Sequence, residues 1–404
     1  MEPASKRSTV PPADASIVLS PDELWEVLLR VPAKALCRFR SVCRSWRSLF
    51  SDPSFIKEHA ALRPGLILAL AGDNDRINMT DLSGSVVRQI TIGPEHVGVS
   101  RKHPGPLHLF LDHNRVRVVD PDTGAASTLP SDGLQRSVGS LYEGSYALGR
   151  VASTGQHKVL RVVSRYNYSA NRRMEQHCHV FTLGDDRWRP VASTFLCVNF
   201  HTAPYHVVAH SAVIQGVAYF LPHRKFPSFD IFGGADNSAI DTNCVLAFDL
   251  HTEEWRPATL AGPPAIDNTN LDCEVTLAKL SGSLVMLRHS IDYHDYSMAQ
   301  IDVWFATDLE NGVWVKGHSI RLELPMAEPW MFASNVRLLR VLDDGRVVLY
   351  YSGNHSSGNW SWPEPDWRTR IYDPRTKTCT DVPHHGVRYI AGMYRGSMLC
   401  LESQ

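Results

Sequence analysis

The sequence predicts an α+β multidomain chain: a small N-terminal three-helix unit followed by an all-β domain, a β-propeller of about six blades. Three observations predict it. Residues 20–49 carry apolar side chains at helical spacing. From about Leu66 onward, short apolar runs alternate with clusters of Gly, Pro, Asp and Asn. Those runs recur as paired hairpins every 45–65 residues, the span of a four-stranded blade.

The first helix is well specified. Ser20 is an N-cap residue, Pro21 falls at the first helical position where its missing N–H costs nothing, and Glu23 completes a capping box. Leu24, Val27, Leu28 and Val31 follow as one apolar stripe until Pro32 stops the helix. A second helical segment, AKALCRFRSVCRSWRSLF from Ala33, spaces Leu36, Phe39, Val42, Cys43, Trp46 and Leu49 on one side. Lys34, Arg38, Arg40, Arg44 and Arg47 make this segment basic without a single acid. Two or three short helices cannot enclose all these apolar groups among themselves, so something else must cover part of the surface. The body of the chain is one cover and a partner is another. DNA binding is a weaker reading, because Phe39, Val42 and Trp46 share the helix with the arginines and no turn glycine separates the helices.

The stretch Leu19 to His59 closely resembles a plant F-box, with a monocot-type character. Matches to the family's pattern fall at Leu19, Glu26, Val27, Leu28, Arg30, Val31, Pro32, Arg38, Phe39, Val42, Cys43, Ser45, Trp46, Ser48, Leu49, Asp52, Pro53 and Phe55. Ser20 departs from the usual proline, but Pro21 can still open the helix. The resemblance implies that the uncovered apolar face docks onto an Skp-type adaptor, which joins a cullin scaffold and a RING subunit in an SCF ubiquitin ligase. By that carry-over Leu19, Pro21, Leu24, Val27, Leu28, Val31, Pro32, Leu36, Val42, Cys43, Trp46 and Leu49 make the contact, less those the small internal core takes for itself. The five cations would face an acidic adaptor and mainly raise the association rate.

The remainder reads as β-structure in repeats. VRVVDPDTGAASTLP at 116, HVFTLGDDRWRPV at 179, VLAFDLHTEEWRPA at 245, IDVWFATDLENGVWVKG at 301 and TRIYDPRTKTCTDV at 369 each run as a strand into an Asp or Gly turn and return. Gln-Gly, Ser-Gly and Asp-Gly turn the hairpins that precede the last three. The units are expected to start near 66, 97, 143, 207, 274 and 336, with five or seven blades as the neighbouring alternatives. GMYRGSMLCLE at the end would complete the first unit and close the ring. This portion resembles the F-box-associated β-domain of plant proteins at Phe248-Asp249-Leu250 with Trp255, at Ile301 to Trp304 with Trp314, and at Tyr372 to Thr376. The expected division is a disordered tail at 1–17, the F-box at 18–60 and the β-domain at 61–404.

Four insertions, 165–178, 223–244, 290–300 and 352–367, fall between the second and third strands of successive units and would therefore gather on one face. They carry Tyr166, Tyr168, Arg172, Arg173, Phe226, Phe229, Phe232, Tyr293, Tyr296, Trp360, Trp362 and Trp367, the composition of an interface hot spot, and are the candidate target-binding residues. The plainer alternative is that these aromatics pin long loops to the blades. The tryptophans inside the repeats read as blade packing.

Other functions find little in the residues. The balance of 41 Lys+Arg against 42 Asp+Glu leaves a net charge of −1 and no global attraction to nucleic acid or a membrane surface. No apolar run reaches eighteen residues and the first residues lack a signal-peptide core, so the expectation is a soluble protein of cytoplasm, nucleus or both. Eight scattered cysteines read as reduced thiols, and sequons at Asn78, Asn167, Asn354 and Asn359 as chance. His177 and His179 share one strand face and His384-His385 lie near the end, too few ligands for zinc. No nucleotide, nucleophile-elbow or metalloprotease motif occurs in a suitable context, so no cofactor, metal or catalytic residue is expected. The alternative function is an F-box protein whose β-domain binds a small molecule or carbohydrate, as sensor or lectin.

Overall fold

The computed structural model describes residues 20–31, 33–62, 65–72, 75–92, 107–112, 115–130, 140–167, 174–193, 211–222, 244–263, 273–280, 282–291, 298–323, 336–342, 344–354, 365–383 and 387–394. The chain divides into two compact units, one formed by residues 1–63 with 397–404 and the other by 64–396.

The first unit contains helices α1 (Pro21–Arg30), α2 (Ala33–Phe39), α3 (Arg44–Leu49) and α4 (Pro53–Ala61). The capping box is present: the Glu23 N–H donates to Ser20 Oγ at 3.2 Å, and the Ser20 N–H donates to Glu23 Oε2 at 2.8 Å. The expected long second helix is instead two helices, broken where Cys43 takes an extended conformation (φ −155°, ψ 167°). The Ser41 hydroxyl, donating to the Arg38 carbonyl at 2.6 Å, satisfies the frayed end. A fourth helix, absent from the sequence reading, repeats the grammar of the first. Asp52 accepts from the Ser54 and Phe55 N–H groups at 2.7 and 3.3 Å, and Pro53 occupies the first helical position.

The second unit is a six-bladed β-propeller. Blade 1 has the order β24-β1-β2-β3, with β1 Leu66–Ala71, β2 Arg76–Thr80, β3 Val86–Thr91 and β24 Val387–Tyr394. Blade 2 shows β4 His108–Asp112, β5 Arg115–Val119 and β6 Ala126–Thr128. Blade 3 runs β7 Ser140–Arg150, β8 His157–Asn167, β9 Met174–Thr182 and β10 Arg189–Val191. Blade 4 contains β11 Ser211–Ile214, β12 Val217–Phe220, β13 Cys244–Asp249, β14 Glu254–Trp255 and β15 Leu260–Ala261. Blade 5 is β16 Cys273–Leu280, β17 Ser283–Ile291, β18 Met298–Asp308 and β19 Val313–Glu323. Blade 6 is β20 Val336–Val341, β21 Val347–Asn354, β22 Pro365–Asp373 and β23 Thr378–Val382.

The ring closes through β24, whose Tyr394 and Met393 pair with Leu66 and Ile67 of β1. The closing strand is VRYIAGMY, which starts at Val387 and shares Gly392 to Tyr394 with the expected GMYRGSMLCLE; residues 395–404 lie outside the described residues. Likewise the second unit, expected near 97, has its first described strand at His108.

Six apolar cores alternate with the six blades, one between each neighbouring pair. Val285, Leu287 and Ile301 meet Leu338 and Leu349 between blades 5 and 6, while Ile67 and Ala69 meet Val348 and Tyr350 between blades 6 and 1. Middle strands are therefore covered on both faces. That is why β12 reads VAYF, buried at every position, without polar alternation. In the third-to-fourth-strand turns a carboxylate caps the reversal: Asp120, Asp249, Asp308 and Asp373 each accept from the N–H two residues on, at 2.8–2.9 Å. The fifth residue of these turns is left-handed, glycine at 124 and 312 but Glu253 (φ 61°) and Lys377 (φ 58°) in the other two.

Candidate functional site

The apolar residues of the helical unit sort into an inside and an outside. Leu28, Leu29, Leu36, Phe50 and Phe55 are buried together, with Leu24, Trp25, Val31, Phe39, Trp46, Leu49 and Ile56 half-buried around them. An aromatic series runs through this core, Trp25 edge-on to Phe55 at 4.9 Å, Phe55 to Phe50 at 5.5 Å, Phe50 to Trp46 at 5.8 Å and Trp46 to Phe39 at 5.3 Å. Two polar contacts lock α4 against α1: the Trp25 indole N–H donates to Glu58 Oε2 at 2.9 Å, and buried His59 bonds the Val31 carbonyl at 2.9 Å.

This division sorts the expected contact residues into core and surface. Leu28 and Leu36 belong to the unit's own core, and Leu24, Val31, Trp46 and Leu49 lean on it. The physical reason is α4, which turns the Trp25, Leu28 and Leu29 side of α1 inward and leaves Val27 outside. Pro21, Val27, Val42 and Cys43 are exposed, Val27 by 48% and Val42 by 64%. Leu19 and Pro32 lie outside the described residues. The cations divide as well. Arg40 donates to the Phe50 carbonyl at 2.7 Å and Arg47 to the Arg40 carbonyl at 3.4 Å, which ties the α2–α3 turn to the end of α3, while Arg38 and Arg44 are exposed. Beside Val42 the Cys43 thiol is held below its ordinary pKa by hydrogen bonds from the Ser45 hydroxyl and the Trp46 N–H.

In blades 3 to 6 the chain reverses tightly between the first and second and between the third and fourth strands, so these turns share one end of the ring. The segments joining second to third strands border the other end. The insertions are shorter than expected, because β8 and β9 run to Asn167 and from Met174, β17 to Ile291, β18 from Met298, β21 to Asn354 and β22 from Pro365. Tyr166 and Trp367 are consequently strand residues, the first paired with Leu141 and Met174 and the second with Ser352. Tyr168, Arg172, Arg173, Phe226, Phe229, Phe232, Tyr293, Tyr296, Trp360 and Trp362 lie outside the described residues.

The repeat tryptophans are latches between blades. The Trp188 indole N–H donates to the Pro130 carbonyl and that of Trp314 to the Ala261 carbonyl, each at 2.8 Å and each reaching the preceding blade. Trp255 packs on Phe220 and Phe248. Sequence reading missed the ion cluster that joins blades 3 and 4. Glu253 Oε1 and Oε2 receive both terminal nitrogens of Arg189 at 2.8 and 2.7 Å, and Lys158 Nζ lies 2.8 Å from Oε1. Glu253 stands 64 or more residues from either partner in sequence, with no local signal. Among the described residues no group of three metal-binding side chains occurs; His179, beside Arg161 and His177, is kept below the ordinary imidazole pKa first by burial and then by those two charges.

Comparison with known proteins adds the family. Residues 18–58 match the F-box domain, and residues 106–391 match the F-box associated beta propeller domain. F-box protein CPR1 of Arabidopsis thaliana is 24% identical over 326 residues, covering 74% of this chain and 72% of that protein. F-box protein At5g49610 of the same plant is 24% identical over 316 residues, 75% and 79% of the two chains. These relatives support a plant F-box family and carry nothing for a monocot type. Among solved structures, levansucrase of Bacillus subtilis aligns with a TM-score of 0.38 at 9% identity, covering 82% of this chain and 89% of that one, a likeness too low to bear on function. The chain belongs to the family of F-box proteins that carry an F-box-associated β-propeller domain.

Proposed function

We propose that this protein is the substrate-recognition subunit of an SCF ubiquitin ligase. Its F-box docks an Skp-type adaptor and, through it, the cullin and RING subunits; its propeller captures a target protein. The observation that carries the reading is the pair of exposed β-branched residues, Val27 and Val42, on a helical unit whose own core is already complete without them. Exposed apolar residues on a unit that also exposes arginines fit a partner with an apolar groove and an acidic rim. The chain needs no catalytic group in this role, because ubiquitin transfer belongs to the other subunits and its contribution is proximity. The ligase would act in the cytoplasm, the nucleus or both.

The test is co-purification of the full chain with an Skp-type adaptor, beside a Val27→Asp, Val42→Asp variant. Both positions are exposed, so the variant is expected to keep its fold and lose the adaptor. Leu28→Asp would be the wrong probe, since it puts a charge into the core and unfolds the unit. Failure of the wild-type chain to bind, or equal capture of the variant, overturns the reading.

A further inference from the structure

The turn that joins α2 to α3 reads Arg38-Phe39-Arg40-Ser41-Val42-Cys43-Arg44, with arginines three and one residues before Ser41 and three after it. The other serines from Ser45 to Ser54 lack the first of these: Ser45, Ser48, Ser51 and Ser54 follow Val42, Ser45, Ser48 and Ser51 by three. Protein kinases select acceptors by such charge patterns, and an acidic peptide groove takes an arginine on the N-terminal side of the hydroxyl.

The geometry of the turn suits that use. Ser41, Val42, Arg38 and Arg44 are all exposed, and the Ser41 hydroxyl is engaged only locally, donating to the Arg38 carbonyl at 2.6 Å. The backbone here can be lifted into a groove at small cost. The Ser41 and Val42 N–H groups bond the Arg38 and Phe39 carbonyls at 3.2 and 3.0 Å in a helix-end turn, where local opening is easiest, and Cys43 is already extended. Ser45 and Ser48, by contrast, lie inside α3. Arg40 is drawn away to the Phe50 carbonyl, which leaves Arg38 as the cation a kinase groove would read.

We infer that Ser41 is the phosphoacceptor of an Arg-directed Ser/Thr protein kinase, and that its phosphorylation releases the adaptor. The release rests on the proposed adaptor docking; the acceptor site does not. In the transfer, the bond from the γ-phosphorus of MgATP to its bridging oxygen breaks and ADP leaves, the Ser41 Oγ–P bond forms, and the hydroxyl proton passes to the kinase's catalytic Asp. The product carries a charge of about −2 at neutral pH. That dianion adjoins Val42, 64% exposed, in the very turn whose apolar and cationic groups would meet an apolar groove and an acidic rim. Charge at this place is thereby changed from complementary to like, and the interface is opposed. The unit's own core is untouched, because Ser41 takes no part in it.

The experiment incubates the folded full chain with MgATP and the catalytic subunit of an Arg-directed kinase, and maps the phosphate by fragmentation mass spectrometry. Stoichiometric phosphate on Ser41 is expected, with an initial rate lower by about tenfold in Arg38→Gln. Phosphate on other serines in place of Ser41, an unchanged rate in Arg38→Gln, or modification of Ser41 only after heating the chain overturns the site. Adaptor capture by the repurified phosphoprotein is expected to weaken by about tenfold or more, and treatment with a phosphatase to restore it. Ser41→Ala carried through the same incubation is expected to capture the adaptor as the untreated parent does. Undiminished capture by the Ser41-phosphorylated chain, or equal loss in kinase-treated Ser41→Ala, overturns the release. Phosphate on Ser41 of a chain that captures no adaptor even before treatment would sink the ligase reading and leave the acceptor site standing.

Discussion

Replacing Glu253 by Ala is expected to destabilise the propeller by about 2–3 kcal/mol. The side chain sits between blades 3 and 4, 16% exposed, and is held by Arg189 and Lys158. Removing one partner of a buried pair costs about 3–5 kcal/mol because the other charge is stranded. Arg189, 43% exposed, regains water and accounts for little of this; an exposed pair contributes roughly 0–1 kcal/mol. Lys158, 10% exposed, does not regain water and keeps the Leu250 carbonyl at 2.7 Å, so the expected loss falls below the full range. Ala retains the left-handed backbone strain that Glu bears at φ 61°, so the difference reports the carboxylate alone. Glu253→Gly relieves that strain and is expected to lose about 0.5–1 kcal/mol less. Thermal melting followed by near-ultraviolet circular dichroism reads it: with about 2 cal/mol/K per residue of unfolding entropy, a domain this long shifts by on the order of 3–4 °C. The pH dependence supplies a second readout. Burial raises the Glu253 pKa, the bonds from Arg189 and Lys158 outweigh it, and the net folded value is lowered. Its stabilisation is then fully present above the unfolded carboxyl pKa near 4.3 and disappears as pH falls through the folded value. A shift under 1 °C in Glu253→Ala, or the same acid sensitivity in variant and parent, would refute the latch.

Lys377→Gly, at the same turn position in blade 6 but exposed, is expected to stabilise by about 0.5–1 kcal/mol, and a lowered melting temperature would contradict the strain argument. Trp314→Phe keeps the packing between blades 4 and 5 but strands the Ala261 carbonyl; a loss of about 1–2 kcal/mol is expected by denaturant titration. Asp52→Ala removes the cap of α4 and is expected to cost the F-box about 1 kcal/mol, seen as earlier loss of helical circular dichroism. Leu36→Ala is expected to cost about 2–5 kcal/mol there, against under 0.5 kcal/mol for exposed Val42→Ala; similar losses at the two positions would refute the inside–outside division.

Much of the fold was legible because its signals are local. Ser20, Pro21 and Glu23 specify a helix start within four residues, and the structure makes both capping bonds. Gln215-Gly216 turns a two-residue hairpin with both residues at positive φ, the conformation that the pair announces. The candidate site was less legible. The stripe Leu24, Val27, Leu28 and Val31 obeys helical spacing, but spacing alone does not say which edge of a stripe faces inward. On the propeller, strands extend past expected loop boundaries at Tyr166 and Trp367, because pairing with a neighbour overrides the polar composition that reads as loop.

The sequence by itself determined what repeats and what caps: about six units of hairpins, their Asp or Gly turns, and an F-box whose first helix opens on Ser20-Pro21. Those features depend on residues a few positions apart, where backbone geometry leaves few choices. Tertiary structure alone decided that α4 covers Leu28 and leaves Val27 and Val42 exposed. It also decided that β24 closes the ring on β1 and that Glu253 joins Arg189 to Lys158. Each of these brings together groups far apart along the chain, and such contacts exist only once packing has chosen which faces meet.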